Sequence, residues 1–122
     1  MAKKVLVVED EPGIVTCLDF LMKQSGYEIQ VAGSHGQALK ILEGFTPDLI
    51  LLDIMLPGRS GLELCQTVRE NPDWGGMKII FLTARGRDVD IEKGMAIGGD
   101  AYITKPFSTR ALVEKVREVL GE

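Results

Sequence analysis

The residues of this 122-residue chain best suited to chemistry are polar side chains that end apolar runs. In "VLVVEDEPG" (residues 5–13), Val5 to Val8 run straight into Glu9, Asp10 and Glu11. "DLILLD" (48–53) ends on Asp53, and two later runs exit on the hydroxyl of Thr83 and the ammonium of Lys105. One carboxylate pair at about 4 Å and an effective dielectric of about 20 repels by about 4 kcal/mol. A divalent cation offsets that repulsion. Mg2+ takes oxygen ligands in an octahedron, keeps several waters, and is commonly held by one or two carboxylates plus phosphate oxygens. Acids gathered beside a hydroxyl and an ammonium therefore point to a Mg2+ and phosphoryl site. The competing reading makes Asp10 and Asp53 helix N-caps, a position acids favour. It explains either residue alone and leaves the whole set unexplained.

The elements that must position these residues alternate clearly. Val5–Val8 reads as a buried strand, and "GIVTCLDFLMKQSG" as a helix with Ile14, Leu18, Leu21 and Met22 on one face, ended by Gly26. "YEIQVA" is a second strand, and "SHGQALKILEG" a short helix capped by Ser34 and closed by Gly44. "DLILLD" and the helix "GLELCQTVRE" follow, ending near the loop-like "NPDWGG". "MKIIFLT", "VDIEKGMAI" and "AYIT" read as strand, weakly patterned helix and short strand. "STRALVEKVREVL" closes the chain with Leu112, Val113, Val116, Val119 and Leu120 on one stripe. Near-continuous apolar strands imply burial on both faces, hence a parallel sheet between helical layers. Right-handed crossovers put all strand C-termini on one edge, where α/β sheets place their ligands. Glu9, Asp10, Asp53, Thr83 and Lys105 are thus expected at one edge.

Composition narrows the field. Fourteen basic against 18 acidic residues leave a net charge of −4, which argues against nonspecific binding of nucleic acid or anionic membrane. No apolar run approaches the roughly 18 residues of a membrane span, and the N-terminus lacks a signal-peptide core. Cys17 and Cys65 fall within helical patterns without metal-ligand spacing and read as buried thiols of a reducing compartment, the cytoplasm. His35, the one histidine, sits in a polar stretch at a helix start and reads as a surface residue. Trp74 reads as a packed anchor of its loop.

"VLVVEDEPG", "DLILLDIMLPGRSGLEL", "IIFLTA" and "GGDAYITKPFS" together closely resemble the receiver domain of two-component response regulators, the CheY-like domain. The resemblance runs from about Lys4 to Leu120, so residues 1–122 are expected to form one receiver domain. It implies a flavodoxin-like (βα)5 three-layer sandwich with strand order 2-1-3-4-5. It also implies roles residue by residue. Asp53 would be the phosphoacceptor attacking a phosphohistidine of a sensor histidine kinase or phosphotransfer protein. Asp10, Asp53 and the Met55 backbone carbonyl would hold Mg2+, with Mn2+ as a substitute and Glu9 acting through water. Glu11 is expected as an exposed acid favouring the helix dipole. Lys105, before a characteristically cis Pro106, would pair with the phosphoryl group. Thr83 and Tyr102 would form the switch, repacking the face made by the fourth helix, fifth strand and fifth helix. Met55 and Arg85 flank positions that tune dephosphorylation in this family.

On that output face Ala96, Ile97, Ala101 and Ala111 are apolar or small, where regulators of this family that dimerise carry more acids to pair with basic residues like Lys115 and Arg117; the resemblance thus argues against a salt-bridged dimer and leaves an apolar partner surface equally open. An output domain or partner is expected there, with no direct nucleic-acid contact by this domain. The chain reads as a signalling switch, not a turnover enzyme. A haloacid-dehalogenase-type phosphatase would need Asp-x-Asp, where this chain has Asp53, Ile54 and Met55. A flavin carrier or dinucleotide-binding domain would need a phosphate loop after the first strand, where this chain has "EDEP".

Overall fold

The computed structural model describes residues 2–122. Five strands, β1 (Lys4–Val8), β2 (Glu28–Ala32), β3 (Leu49–Asp53), β4 (Lys78–Ala84) and β5 (Ala101–Lys105), alternate with α1 (Pro12–Gln24), α2 (His35–Leu42), α3 (Gly61–Glu70), α4 (Asp88–Ala96) and α5 (Thr109–Val119). All neighbouring strands pair in parallel, in the order β2-β1-β3-β4-β5. The resemblance's fold and strand order are both met.

The three central strands explain the architecture. β3 is buried along its whole length, as are Val5–Val8 of β1 and Ile79–Thr83 of β4. Side chains of period 2 then feed two cores. Leu6, Val8, Ile50, Leu52, Ile79 and Phe81 pack under α2 and α3 with Leu64 and Val68. Val5, Val7, Leu49, Leu51, Ile80 and Leu82 pack under α1 and α5 with Leu18, Met22, Leu112 and Val116. Hydrophobic burial against helices on both faces is why the strands carry no alternation. β2 and β5 sit at the sheet edges and depart from continuous burial accordingly. Ser34, Ser60 and Ser108 cap α2, α3 and α5 through their hydroxyl oxygens.

Two expectations fail. His35 is buried, only 4% exposed, because the first turn of α2 lies against the protein body. Its Nε2 has no hydrogen-bond partner. Cys17 is partly exposed, whereas Cys65 is buried as expected. Within "NPDWGG" a single 3-10 turn, Pro72–Trp74, lets Trp74 pack on the core as an anchor. Among the described residues no helix is long and apolar enough to cross a membrane.

Candidate functional site

Strand register assembles the site. Val8 of β1 and Leu52 of β3 are direct partners, so Glu9 and Asp53 emerge side by side, one residue further along neighbouring strands. Lys105 ends β5 beyond β4, paired with Ala84. Strand alternation gives Glu9, Asp53 and Lys105 the same face as Val7, Leu51 and Ile103, the α1/α5 side. Asp10 follows Glu9 in the β1–α1 loop. An open cavity of about 540 Å³ at this edge is lined by Glu9, Asp10, Asp53, Met55 and Lys105 among others.

Each of Glu9, Asp10 and Asp53 offers a carboxylate oxygen, and the three oxygens lie within 4.8 Å of one another. Glu9 and Asp53 are buried, while Asp10 is exposed. Neither aspartate is a helix cap: the residue capping α1 is the exposed Glu11, which makes no side-chain cap bond. Glu9 instead accepts the Asp10 amide at 2.9 Å, and Asp53 accepts the Met55 amide at 3.1 Å. The Lys105 ammonium donates to Glu9 at 2.6 Å and lies 3.4 Å from Asp53. The peptide bond from Lys105 to Pro106 is cis.

These contacts set the titration of the cluster. Burial and the Glu9 carboxylate push Asp53 up to about 7, against the opposing pull of Lys105 and the Met55 amide. Burial also acts upward on Glu9, but hydrogen bonds with Asp53 and Lys105 and the Lys105 charge hold it below the usual carboxylate range. Burial lowers the Lys105 ammonium, and its Glu9 hydrogen bond with the two nearby negative charges raises it more. Near neutral pH the shared proton of the pair therefore belongs on Asp53. Among the described residues Lys105 alone forms ion pairs with these acids. An all-oxygen set short of positive charge suits a hard divalent cation, which Mg2+ is.

Thr83 and Tyr102 stand apart. Thr83 is buried, shares the Phe81 side of the sheet, and directs its hydroxyl to the Ala84 carbonyl at 3.4 Å. Tyr102 is paired with Phe81 on the neighbouring strand and is 45% exposed. Neither lines the cavity. The carboxylates and Lys105 meet on one face of the sheet, and these two residues lie on the other.

Sequence reading missed one constellation near the opposite edge. Arg69 of α3 donates to the Gly98 carbonyl at 2.9 Å, the Met77 carbonyl at 2.6 Å and Asp100 at 2.9 Å. Its only signal in the chain is the pairing of an arginine in a helix's last turn with an acid beside glycines, 31 residues later.

The family model for the response regulator receiver domain matches residues 5–117. A CheY-like receiver domain protein of Methanospirillum hungatei JF-1 shares 32% identity and superposes with a TM-score of 0.92, covering 99% of this chain and 95% of that one. The chemotaxis response regulator CheY4 of Vibrio cholerae shares 26% identity at a TM-score of 0.91, covering 98% and 99%. The receiver domain of sensor histidine kinase PA1611 from Pseudomonas aeruginosa PAO1, with magnesium coordinated in its active-site cleft, shares 27% identity at a TM-score of 0.89, with both chains fully covered. With its strand order, its acid-lined edge and this match along nearly its whole length, the chain belongs to the response regulator receiver domain family.

Proposed function

We propose that residues 1–122 form a phosphorylation-controlled switch that accepts one phosphoryl group on Asp53, in a Mg2+-dependent reaction, from a sensor histidine kinase or phosphotransfer protein of the cytoplasm. The supporting observation is the placement of Asp53: a buried carboxylate at a strand exit, 3.4 Å from Lys105 and grouped with Glu9 and Asp10. Magnesium in the corresponding cleft of the Pseudomonas relative supports the cation.

Asp10, Asp53 and the Met55 carbonyl would hold Mg2+, with Glu9 reaching it through water. Bound there, the cation would supply positive charge that offsets the repulsion among the acids and complements phosphoryl oxygens. The remaining work belongs to the chain. Asp53 must first lose its proton. Its carboxylate oxygen then forms a bond to phosphorus while the phosphorus–nitrogen bond of the donor histidine breaks, and the imidazole departs with the electron pair. Positioning and electrostatics carry most of such a transfer. Lys105 is within one side-chain adjustment of the new phosphoryl group.

Acylation of phosphate adds about one negative charge near neutral pH, as on other phosphorylated side chains. New charge-assisted hydrogen bonds from Thr83 and Lys105, at about 1.5–3 kcal/mol each, total about 3–6 kcal/mol. Inverting a two-state equilibrium from 1:99 to 99:1 needs about 5.5 kcal/mol. The two contacts reach that scale. Thr83 moving toward the phosphoryl group vacates space on the Phe81 side, into which Tyr102 turns, changing the α4–β5–α5 face that a partner or output domain reads.

The test is intact-mass spectrometry after incubation with acetyl phosphate and Mg2+. One phosphoryl group on the wild type, none on Asp53→Asn and none with EDTA is the expected pattern. Equal labelling of both proteins would remove Asp53 from the role.

A further inference from the structure

We propose that β2 is a docking edge for a second copy of this chain. The two β2 strands pair antiparallel about a two-fold axis at Gln30 and join both sheets into one. The pairing does not depend on the function proposed above.

Backbone parity leaves this edge open. β2 pairs with β1 alone. The Glu28 amide donates to the Lys3 carbonyl at 2.9 Å, and the Ala32 carbonyl accepts the Glu9 amide at 3.0 Å. Glu28, Gln30 and Ala32 therefore turn their backbone groups toward β1, and the amides and carbonyls of Ile29 and Val31 point away from the sheet. Edge strands are commonly blunted by lysine, proline or a bulge. β2 reads Glu-Ile-Gln-Val-Ala, matches β1 residue for residue, and has none of these devices. Val31 is 36% exposed. A groove of about 360 Å³ opens between Val31 and Gln37, Lys40 and Ile41 of α2.

Turned about a two-fold axis, the strand complements itself. With Gln30 opposite Gln30 of the second copy, Ile29 falls opposite Val31 on either side of the axis. Each such pair exchanges two backbone hydrogen bonds, which satisfies every outward group of both strands. Ile29 and Val31 share the face of Val5 and Val7. Each pair thus also brings two β-branched side chains together, a cross-strand contact that stabilises sheets. On the other face Glu28 falls opposite Ala32 of the second copy, beside the groove that holds that copy's Lys40. The Glu28 side chain is 60% exposed, and its one ion pair among the described residues, with Lys4, is long at 4.0 Å. An acid of each copy therefore meets a lysine of the other. An unrelated extended segment could match the hydrogen bonds but carries no reason to match both charges. The interface is isologous and closes at two copies. Because β5 lies at the far edge of the sheet, the α4–β5–α5 face stays open in the dimer.

Sedimentation velocity on the whole chain, from micromolar to millimolar concentration, tests this. A monomer–dimer equilibrium is expected, and a monomer throughout overturns the proposal. Val31→Pro removes an amide that bonds nothing within one chain, a change that sheet edges tolerate, and should leave only monomer. Val31→Lys sets a charge against Ile29 of the second copy and should do the same, which covers the case that proline disturbs the fold. Undiminished dimer in either folded variant overturns the edge. Glu28→Lys and Lys40→Glu should each weaken dimerisation about tenfold by opposing like charges. Their equimolar mixture should restore it, since the mixed dimer carries both ion pairs reversed; a mixture no tighter than its parts overturns the register. Oxidation of Gln30→Cys in a Cys17→Ser background reads the axis, because directly opposed Cα atoms about 4.5 Å apart lie within disulfide reach. Faster crosslinking there than from Glu92→Cys in the same background is expected, and equal rates overturn the pairing.

Discussion

The Lys105 ammonium lies 2.6 Å from Glu9 and 3.4 Å from Asp53, so without a phosphoryl group it is bonded to the first strand's acid and only near the third's. Glu9 thus does more than the outer-sphere contact expected of it: it holds the lysine in place and, after burial, adds to the upward push on Asp53.

Removing that ammonium strands a buried charge. Glu9 has no exposed side-chain surface, whereas Lys105 retains 19% of its own. Breaking a buried pair costs about 3–5 kcal/mol, and the partial solvation of Lys105 puts Lys105→Met near the low end, about 3 kcal/mol. Urea denaturation at pH 7 checks this. The loss should shrink on acidification, because protonation then neutralises the acids. An unchanged midpoint would show that the pair carries no stability.

Asp53 gives stability a pH dependence of defined sign. Its folded value of about 7 lies above the ordinary 3.8, so the native state holds a proton that the unfolded chain releases. This term stabilises below about pH 4 and is lost as pH rises through 7. Asp53→Asn removes it. The metal-free variant should be more stable than wild type by about 4 kcal/mol at pH 8, at about 1.4 kcal/mol per pKa unit. The gain should disappear near pH 4. Thermal melts in EDTA across that range provide the measurement, and a gain independent of pH would contradict the assignment.

Bound at Asp53 as proposed, Mg2+ would have to displace the same proton. Its affinity should therefore fall toward tenfold per pH unit below pH 7 and level off above it. Asp10→Asn should weaken binding without altering this profile. Calorimetric titration in buffers of different ionisation heat reports both affinity and proton release. A flat profile would separate the metal from Asp53.

His35 carries an orphaned Nε2 at a buried position. Burial, then the Arg59 charge, lowers the imidazole below its ordinary 6.5. Folding is consequently favoured above pH 6.5 and loses this contribution as pH falls. His35→Leu removes an unsatisfied group worth about 1–3 kcal/mol, offset in part by imperfect shape. It should stabilise by about 1 kcal/mol at pH 7 and by more at pH 5. Destabilisation at both would mean that the imidazole has a partner in solution.

Gly61 marks where α3 meets the end of β3. A Cβ there would stand 2.2 Å from the Asp53 carbonyl oxygen. Backbone cannot yield as a flexible side chain does, so Gly61→Ala should cost about 3 kcal/mol, on the scale of core overpacking. It should also weaken Mg2+ binding by moving Asp53. Stability and Mg2+ titration together separate this from a harmless surface change.

Much of this was legible because each central strand is an apolar run ended abruptly by one polar residue. Val5–Val8 before Glu9 and Leu49–Leu52 before Asp53 reveal both the strand and its exit. Long-range pairing was less visible. Nothing local tells Lys105 to choose Glu9 over Asp53, since that depends on register across β1, β3, β4 and β5. Arg69 and Asp100 meet across 31 residues with no periodic signal. His35 misled because its neighbours Ser34, Gly36 and Gln37 are polar or small, and capping geometry turns the imidazole inward regardless. Cys17 misled in the opposite way: an apolar residue in an amphipathic helix, it falls at the margin of the buried face.

Borohydride reduction of the freshly phosphorylated chain, followed by peptide sequencing, locates the acyl phosphate most directly. Homoserine at position 53, formed only when both acetyl phosphate and Mg2+ were present, is the predicted result. Homoserine at position 10, modified glutamate at position 9, or an unmodified site in fully folded protein would contradict the account.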